Sequence, residues 1–392
     1  MESARDAVIV DVVRTPAGKG RAGGALSHVH PVDLLADVLT HLAERNHLDP
    51  HLVDDVIGGC VTKSGEQGVN ITRTAVLAAG FPTSVPATTV DRQCGSSQQA
   101  VHFAAHAIQA GAADTVIACG VESMSRAPMR SDVGDADHLG PRVTERFPGG
   151  LIPQGLSAEL ICARWGLARE EIDAYSLASH QRAHAARPAF ERDLIRVSDA
   201  PDLAVDETVR PATDQAQLAS LRPSFRTDEA AARFPEIDWK VTAGNSSPLT
   251  DGAAGVLLMS AERARALGLR PRARIHATAV LGDDPMLMLM GVVPATRRVL
   301  DAARMTTAAI DLFEVNEAFA CVPMAWMRDL KVEHDRLNVH GGAIALGHPL
   351  GASGARVMTT LVGALEERGG RYGLQTMCEY GGMANATIIE LL

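Results

Sequence analysis

The chain has 392 residues, 46% of them apolar, with 37 basic and 47 acidic side chains and a formal net charge of −10. That length holds two or three structural units and a large buried core, which excludes disordered and collagen-like chains. The acidic balance argues against general affinity for nucleic acid or anionic membrane, leaving room for a local basic patch that takes a phosphorylated small molecule, and the longest apolar run, 286–294, is too short to span a bilayer.

The opening Met1-Glu2-Ser3-Ala4-Arg5-Asp6 and the stretch 7–13 lack the long apolar centre of a signal peptide and read as a first strand. A helix over 32–44, a strand over 55–61 and a helix over 70–79 follow, the alternation of an α/β protein. Residues 88–90 lead into Asp91-Arg92-Gln93-Cys94-Gly95-Ser96-Ser97, and the spacing of Val101, Ala104, Ala105 and Ile108 predicts an amphipathic helix with Cys94 at its entry. A buried strand is expected over 112–120. From 121 to 249 the texture turns to proline, arginine and charge, which predicts an inserted, loop-rich unit with one helix over 169–186. Alternation resumes at 255–260 and continues through 274–282, so the chain divides into a first half at 1–120, the insertion at 121–250, a return to the first half at 251–270 and a second half at 271–392.

Each outer segment carries a strand, a glycine-rich turn with a reactive side chain and a small-residue helix, which hints at a duplicated unit. Two last strands, 374–378 and 384–391, flank the turn Glu379-Tyr380-Gly381-Gly382-Met383. Cys60, Cys94, Cys119, Cys162, Cys321 and Cys378 are widely spaced and read as reduced thiols, most of them small buried hydrophobes. With no peroxisomal or retention tail at the C-terminus, cytoplasm is the expected compartment.

Cys94 is the strongest chemical candidate, because a thiol at a helix N-terminus faces unpaired N–H groups and the positive end of the helix dipole, which favour the thiolate. The stretch 341–354 packs five glycines around His348, a density that implies left-handed backbone or close approach. It fits neither the Walker pattern nor the dinucleotide fingerprint. Cys94 with His348 makes a nucleophile and base. Cys378, before the second glycine turn, suits either a redox disulfide or proton exchange with a substrate carbon, and the lack of any Cys-x-x-Cys lowers the redox and zinc readings. His102 with His106, and His180 with His184, are four apart but lack a third ligand, so they are read as helix-surface residues and no metal site is expected. Asn316-Glu317 puts a polar pair in an apolar run, which points to hydrogen bonding, to a helix N-cap at Asn316, or to both.

Taken together, Cys94-Gly95-Ser96, Gly120-Val121-Glu122-Ser123-Met124-Ser125, Thr242-Ala243-Gly244-Asn245-Ser246-Ser247 with Asp251-Gly252-Ala253-Ala254, Asn316-Glu317-Ala318-Phe319, Gly347-His348-Pro349 and Cys378 resemble the thiolase family over essentially the whole chain. The resemblance implies a five-layer α-β-α-β-α fold from two similar halves, with the insertion docking coenzyme A. It implies an acyltransferase that cleaves 3-ketoacyl-CoA with coenzyme A or runs the reverse Claisen condensation. Cys94 would carry the acyl group, His348 would activate it, Cys378 would move a proton at the substrate carbon, and Asn316 would hold a water. The backbone N–H groups of Cys94 and Tyr380 would form an oxyanion hole, and Arg222 and Ser247 would contact coenzyme A. Coenzyme A and acyl-CoA are then substrates and no resident cofactor is implied, while the family implies self-association as a dimer or tetramer.

Three residues depart from the family pattern. Tyr380 stands where a first glycine is usual, which puts the left-handed backbone of the oxyanion turn or the width of the acyl pocket in question. Pro153-Gln154 replaces the His-Met of short-chain members, and His340 replaces an asparagine. The Tyr380 departure motivates an alternative reading, an acyl-CoA or lipid-binding protein with weak thiolysis. A decarboxylating condensing enzyme is a third, disfavoured because it would not need Cys378.

Overall fold

The computed structural model describes residues 3–392, so Met1 and Glu2 of the opening hexapeptide lie outside the described residues. In chain order the main elements are β1 (Ala7–Arg14), α1 (Pro31–Arg45), β2 (Asp55–Gly59), α2 (Ile71–Ala78), β3 (Ala87–Val90), α3 (Ser96–Gln109) and β4 (Thr115–Ser123). After them come α4 (Gln154–Arg164), α5 (Arg169–Ala185), β5 (Thr250–Ser260), β6 (Ala273–Gly282) and α6 (Val292–Ala303). The chain closes with β7 (Leu312–Val315), α7 (Cys321–Leu330), α8 (Ser353–Arg368), β8 (Tyr372–Glu379) and β9 (Met383–Leu391).

The strands hydrogen-bond in the order β3-β2-β4-β5-β1-β6-β9-β8-β7. Within the first half β2 and β4 run parallel, β5 is antiparallel to β4, and β1 is antiparallel to β5. The second half repeats this: β7 and β8 are parallel, β9 is antiparallel to β8, and β6 is antiparallel to β9. The expected duplication is therefore visible in strand order and direction: β2-β4-β5-β1 recurs as β7-β8-β9-β6, and the edge strand β3 has no counterpart. The half-sheets meet where Val8 and Ile9 of β1 face Arg274 and Ala273 of β6.

Burial explains the layers. Every residue of β1, β4 and β5 is buried, as strands covered on both faces must be. Outside the first half-sheet, Leu35, Val38, Leu39 and Leu42 of α1 pack on Leu257 and Met259 of β5. Between the half-sheets, Ala100, Val101, Ala104 and Ala105 of α3 share a core with Ala355, Met358, Leu361 and Val362 of α8. The last layer joins Val299 of α6 and Trp326 of α7 to Ile388 of β9. Alanine and glycine at the α3–α8 contact let the helices come close: a Cβ at Gly354 would lie 2.2 Å from the Gln98 backbone nitrogen. A buried ion cluster pins the halves, with Arg272 donating to Asp11 at 3.2 Å, Asp193 at 2.8 Å and Glu366 at 2.7 Å.

Between β4 and β5 the helix expected over 169–186 is present as α5, but α4 and several shorter helices accompany it. Periodicity missed α4 because its residues are buried on several sides, Ser157, Ala158, Glu159, Ile161 and Cys162 among them, so it lacks a clean apolar stripe. All six cysteines are free and buried. Among the described residues no helix is long and apolar enough to cross a membrane.

Candidate active site

Cys94 lies in the turn between β3 and α3 and is 4% exposed. Side chains within the turn set its shape: Asp91 Oδ1 accepts from Gln93 N at 2.8 Å, Ser96 Oγ accepts from Arg92 N at 2.9 Å and donates to Gln93 O at 2.6 Å. Gln93 is held at φ 50°, a left-handed conformation uncommon for a side chain of its kind, immediately before the nucleophile. The expectation that the helix terminus holds Cys94 as a thiolate is corrected here. Burial, with the Glu379 carboxyl adding to it, pushes the thiol up to about 12, while a hydrogen bond from the Gln154 side chain pulls the other way. Desolvation of the anion outweighs the helix end.

His348 is also buried, and its ring is pushed down to about 3 by burial and by the charge of Arg356, so it is a neutral imidazole. Its tautomer follows from a chain of hydrogen bonds. Ser353 Oγ donates its one hydrogen to Pro349 O at 2.8 Å, so at 2.5 Å from His348 Nδ1 it accepts from an Nδ1–H. Nε2 is left with its lone pair, facing the Nδ2 amide of Asn316 at 3.4 Å. The backbone N–H of His348 donates to Thr250 Oγ1 at 3.0 Å, and the side chain of Thr250 lies 2.6 Å from where a Cβ of Gly347 (φ +84°) would stand. The glycine-rich run thus serves close approach and left-handed backbone, as expected.

Asn316 sits just past β7 and is 2% exposed. Its Oδ1 has no hydrogen-bond partner, leaving a buried acceptor free. It is not an N-cap: α7 begins at Cys321 after Ala320, with no side-chain cap. Its neighbour Glu317 is structural instead, accepting from Tyr175 Oη (2.9 Å), Asn338 Nδ2 (3.0 Å), Ser179 Oγ (2.7 Å) and Ile344 N (3.1 Å). Glu122 does the same for the other loops, accepting from Val61 N, Thr62 N, Gln67 Nε2 and Gly351 N.

Cys378 is fully buried near the end of β8, and its thiol is pushed well above its ordinary range by burial and by the closeness of Cys94. Cys94 packs in one apolar cluster with Leu350, two residues past His348, and Met377, the residue before Cys378. The structure therefore gathers Cys94, His348, Cys378 and Asn316 at one place.

Tyr380 keeps a negative φ; the left-handed positions of the turn are Gly381 (φ +84°) and Gly382 (φ +80°). Its side chain is half-buried against the core that contains Cys378. Among the described residues no backbone carbonyl takes the N–H of Cys94 or of Tyr380. Ser247 is anchored to the Asn316 loop, its N and Oγ both donating to Ala318 O at 3.0 and 3.1 Å. Arg222 is exposed on a neighbouring loop whose Leu221 packs on Gly244.

Sequence reasoning missed Gln154 and Ser353 as site residues. The signal for Ser353 was its place five residues after His348 in the glycine run; Gln154 was marked only as a departure. His102 and His180 are corrected from helix surface to interior: His102 Nε2 lies 2.7 Å from Thr387 Oγ1, and His180 Nδ1 accepts from Arg210 N at 3.2 Å. His102 and His348 are both held near 3 by burial, against an ordinary 6.5. The unfolded chain protonates these rings as pH falls through about 6.5 and the folded chain does not, so folding stability present above that pH is lost below it. The melting temperature of the parent relative to that of His102→Gln should therefore fall from about pH 7.5 to about pH 5; a difference constant over this range refutes the assignment.

The comparisons with known proteins agree over the whole chain. Residues 7–262 match the family model described as thiolase, N-terminal domain, and residues 269–391 match thiolase, C-terminal domain. The steroid 3-ketoacyl-CoA thiolase FadA6 of Mycobacterium tuberculosis is 46% identical, with 99% of this chain and 94% of that protein aligned. The 3-ketoacyl-CoA thiolase of Aeromonas hydrophila is 43% identical across 98% of this chain and 99% of its own length. The crystal structure of the Bacillus anthracis acetyl-CoA acetyltransferase superposes with a TM-score of 0.86 at 36% identity, covering 99% of both chains. By its two matched domains and its full-length relatives, the chain belongs to the thiolase family.

Proposed function

We propose that the chain is a 3-ketoacyl-CoA thiolase, transferring an acyl group from 3-ketoacyl-CoA to coenzyme A through a thioester on Cys94. The observation that carries the reading is the neutral His348, with Nδ1–H committed to Ser353 and the Nε2 lone pair free beside Asn316. In this reading Cys94 Sγ attacks the C3 carbonyl as its proton passes to Nε2, so no buried ion pair forms before substrate arrives. The C2–C3 bond breaks, its electrons form the enolate of acetyl-CoA, and the Cys378 thiol protonates C2. The protonated Nε2 and the Asn316 amide, through a water, stabilise the enolate oxygen, while the N–H groups of Cys94 and Tyr380 receive the oxyanion on the acyl carbonyl. Free coenzyme A then attacks the acyl-Cys94 thioester, its thiol proton passing to the Cys378 thiolate and its sulfur taking the acyl group, while Cys94 Sγ leaves with the proton that His348 Nε2 has held.

The reading brings with it Arg222 and Ser247 as coenzyme A contacts, self-association as a dimer or tetramer, and residence in the cytoplasm. Tyr380 does not favour the binding-protein alternative, because its backbone needs no left-handed conformation. The test is loss of acetoacetyl-CoA absorbance on adding coenzyme A, run beside a longer 3-ketoacyl-CoA. Turnover of either, abolished by thiol alkylation, is expected. No turnover of either despite acyl-CoA binding refutes the assignment. Because the Tyr380 ring packs on the core beside Cys378, Tyr380→Gly should change the ratio of kcat/KM for the two chain lengths by about 10-fold, the scale of one or two methylenes in an apolar pocket. An unchanged ratio removes Tyr380 from the acyl pocket.

A further inference from the structure

Glu379 follows Cys378 directly and is fully buried, yet neither of its carboxylate oxygens has a hydrogen-bond partner. A buried carboxylate in that state is costly, whereas a neutral acid is much less so. Strand alternation turns the Glu379 side chain to the face opposite Cys378, toward the Cys94 turn. There it lies against Gly95, the residue after the nucleophile: a Cβ at Gly95 would come within 2.0 Å of Glu379 Oε1 and 2.7 Å of Asn385 Nδ2. Asn385 Nδ2 donates to Gly95 O at 3.1 Å, and its Oδ1 is a second buried acceptor without a partner. One acid and one amide, both incompletely satisfied, therefore back the turn that carries the nucleophile.

We propose that Glu379 is a positioning residue for Cys94: held as an uncharged acid behind Gly95, it leaves the sulfur free to give up its proton as it attacks, and its ionisation switches the nucleophile off. This deepens the thiolase reading and rests on it for its catalytic consequence. The groups facing Glu379 account for the behaviour. The turn before α3 contributes Asp91, Arg92 and Cys94, with Asp91 itself 3.2 Å from Lys63. The β9 strand contributes the uncharged Asn385 and Met383, while Cys378, the residue before Glu379, lies on the other face of β8. Burial raises the Glu379 carboxyl to about 8, with Arg92 opposing and Asp91 adding, and the Glu379 charge in turn raises Cys94. The sign is fixed: below that pH Cys94 sees a neutral neighbour, and above it an anion.

The experiment measures iodoacetamide alkylation of Cys94, located by peptide mass spectrometry, against pH in the full-length protein and in Glu379→Gln, beside the pH profile of thiolysis. At about pH 7 the two proteins should react within about 3-fold of each other; above about pH 8.5 the Gln variant should pull ahead by about 10-fold, the effect of one pKa unit on Cys94. The thiolysis profile of the variant should lose its alkaline decline. Arg92→Gln, which leaves Glu379 in place and removes the opposing charge, should move the decline to higher pH. Superimposable alkylation profiles in parent and Glu379→Gln, or a variant equally slow at every pH, overturn the proposal. The alkylation readout needs no turnover, so a shifted profile without thiolysis would refute the proposed function while sustaining this role for Glu379.

Discussion

Cys94→Ala should lose thiolysis by about 10⁴-fold or more, the scale seen when a covalent nucleophile is removed, while still binding acyl-CoA. Without Sγ the reaction loses its acyl carrier. Cys94→Ser should be almost as inactive. A hydroxyl is a far weaker acid than a thiol, and His348 is a base whose ring is held near 3 by burial, so it can take a proton only as the attack itself proceeds. Mixing parent protein with 3-ketoacyl-CoA and no free coenzyme A should add one acyl mass to the peptide carrying Cys94. The alanine protein should add none. Turnover within 10-fold of the parent would show that another group carries the acyl chain.

The parts of this site that were legible in the sequence are those where chemistry concentrates in a short run. Cys94 before a helix, His348 inside a crowd of glycines and Cys378 before another glycine turn all declare an unusual backbone around a reactive atom. The strand and helix alternation of both halves was legible for the same reason that it folds: continuous apolar strands need cover on both faces. Protonation was not legible. A helix terminus is a local feature, visible in the sequence, and it favours a thiolate at Cys94; desolvation depends on Val61, Met124, Leu350 and Met377, which come from distant parts of the chain, and it wins. The division of labour in Asn316-Glu317 was equally hidden, because only the folded chain shows Glu317 saturated by four donors and Asn316 with a free acceptor. Tyr380 misled in the opposite direction: its residue type suggested a damaged turn, whereas Gly381 and Gly382 already carry the positive φ values.

Cys378→Ala should separate the two half-reactions. Its thiol lies on the core side of β8, fully buried and pushed well above its ordinary range, which suits a group that gives a proton to an enolate and takes one back only when a thioester carbonyl has been polarised. Removing it leaves Cys94, His348 and Asn316 in place, so acyl exchange between labelled coenzyme A and acetyl-CoA, in which His348 Nε2 can pass the Cys94 proton to the departing coenzyme A and take it back, should continue within about 10-fold of the parent. Exchange of the acetyl-CoA methyl hydrogens with deuterated water needs proton removal at C2 and should fall by about 10³-fold, and thiolysis should fall with it. Loss of both exchanges in a protein that melts like the parent would show that His348 cannot replace Cys378 as the proton carrier in the acyl-transfer step. Retention of both would move the proton-transfer role to His348, whose Nε2 is the other group here with a lone pair able to accept it.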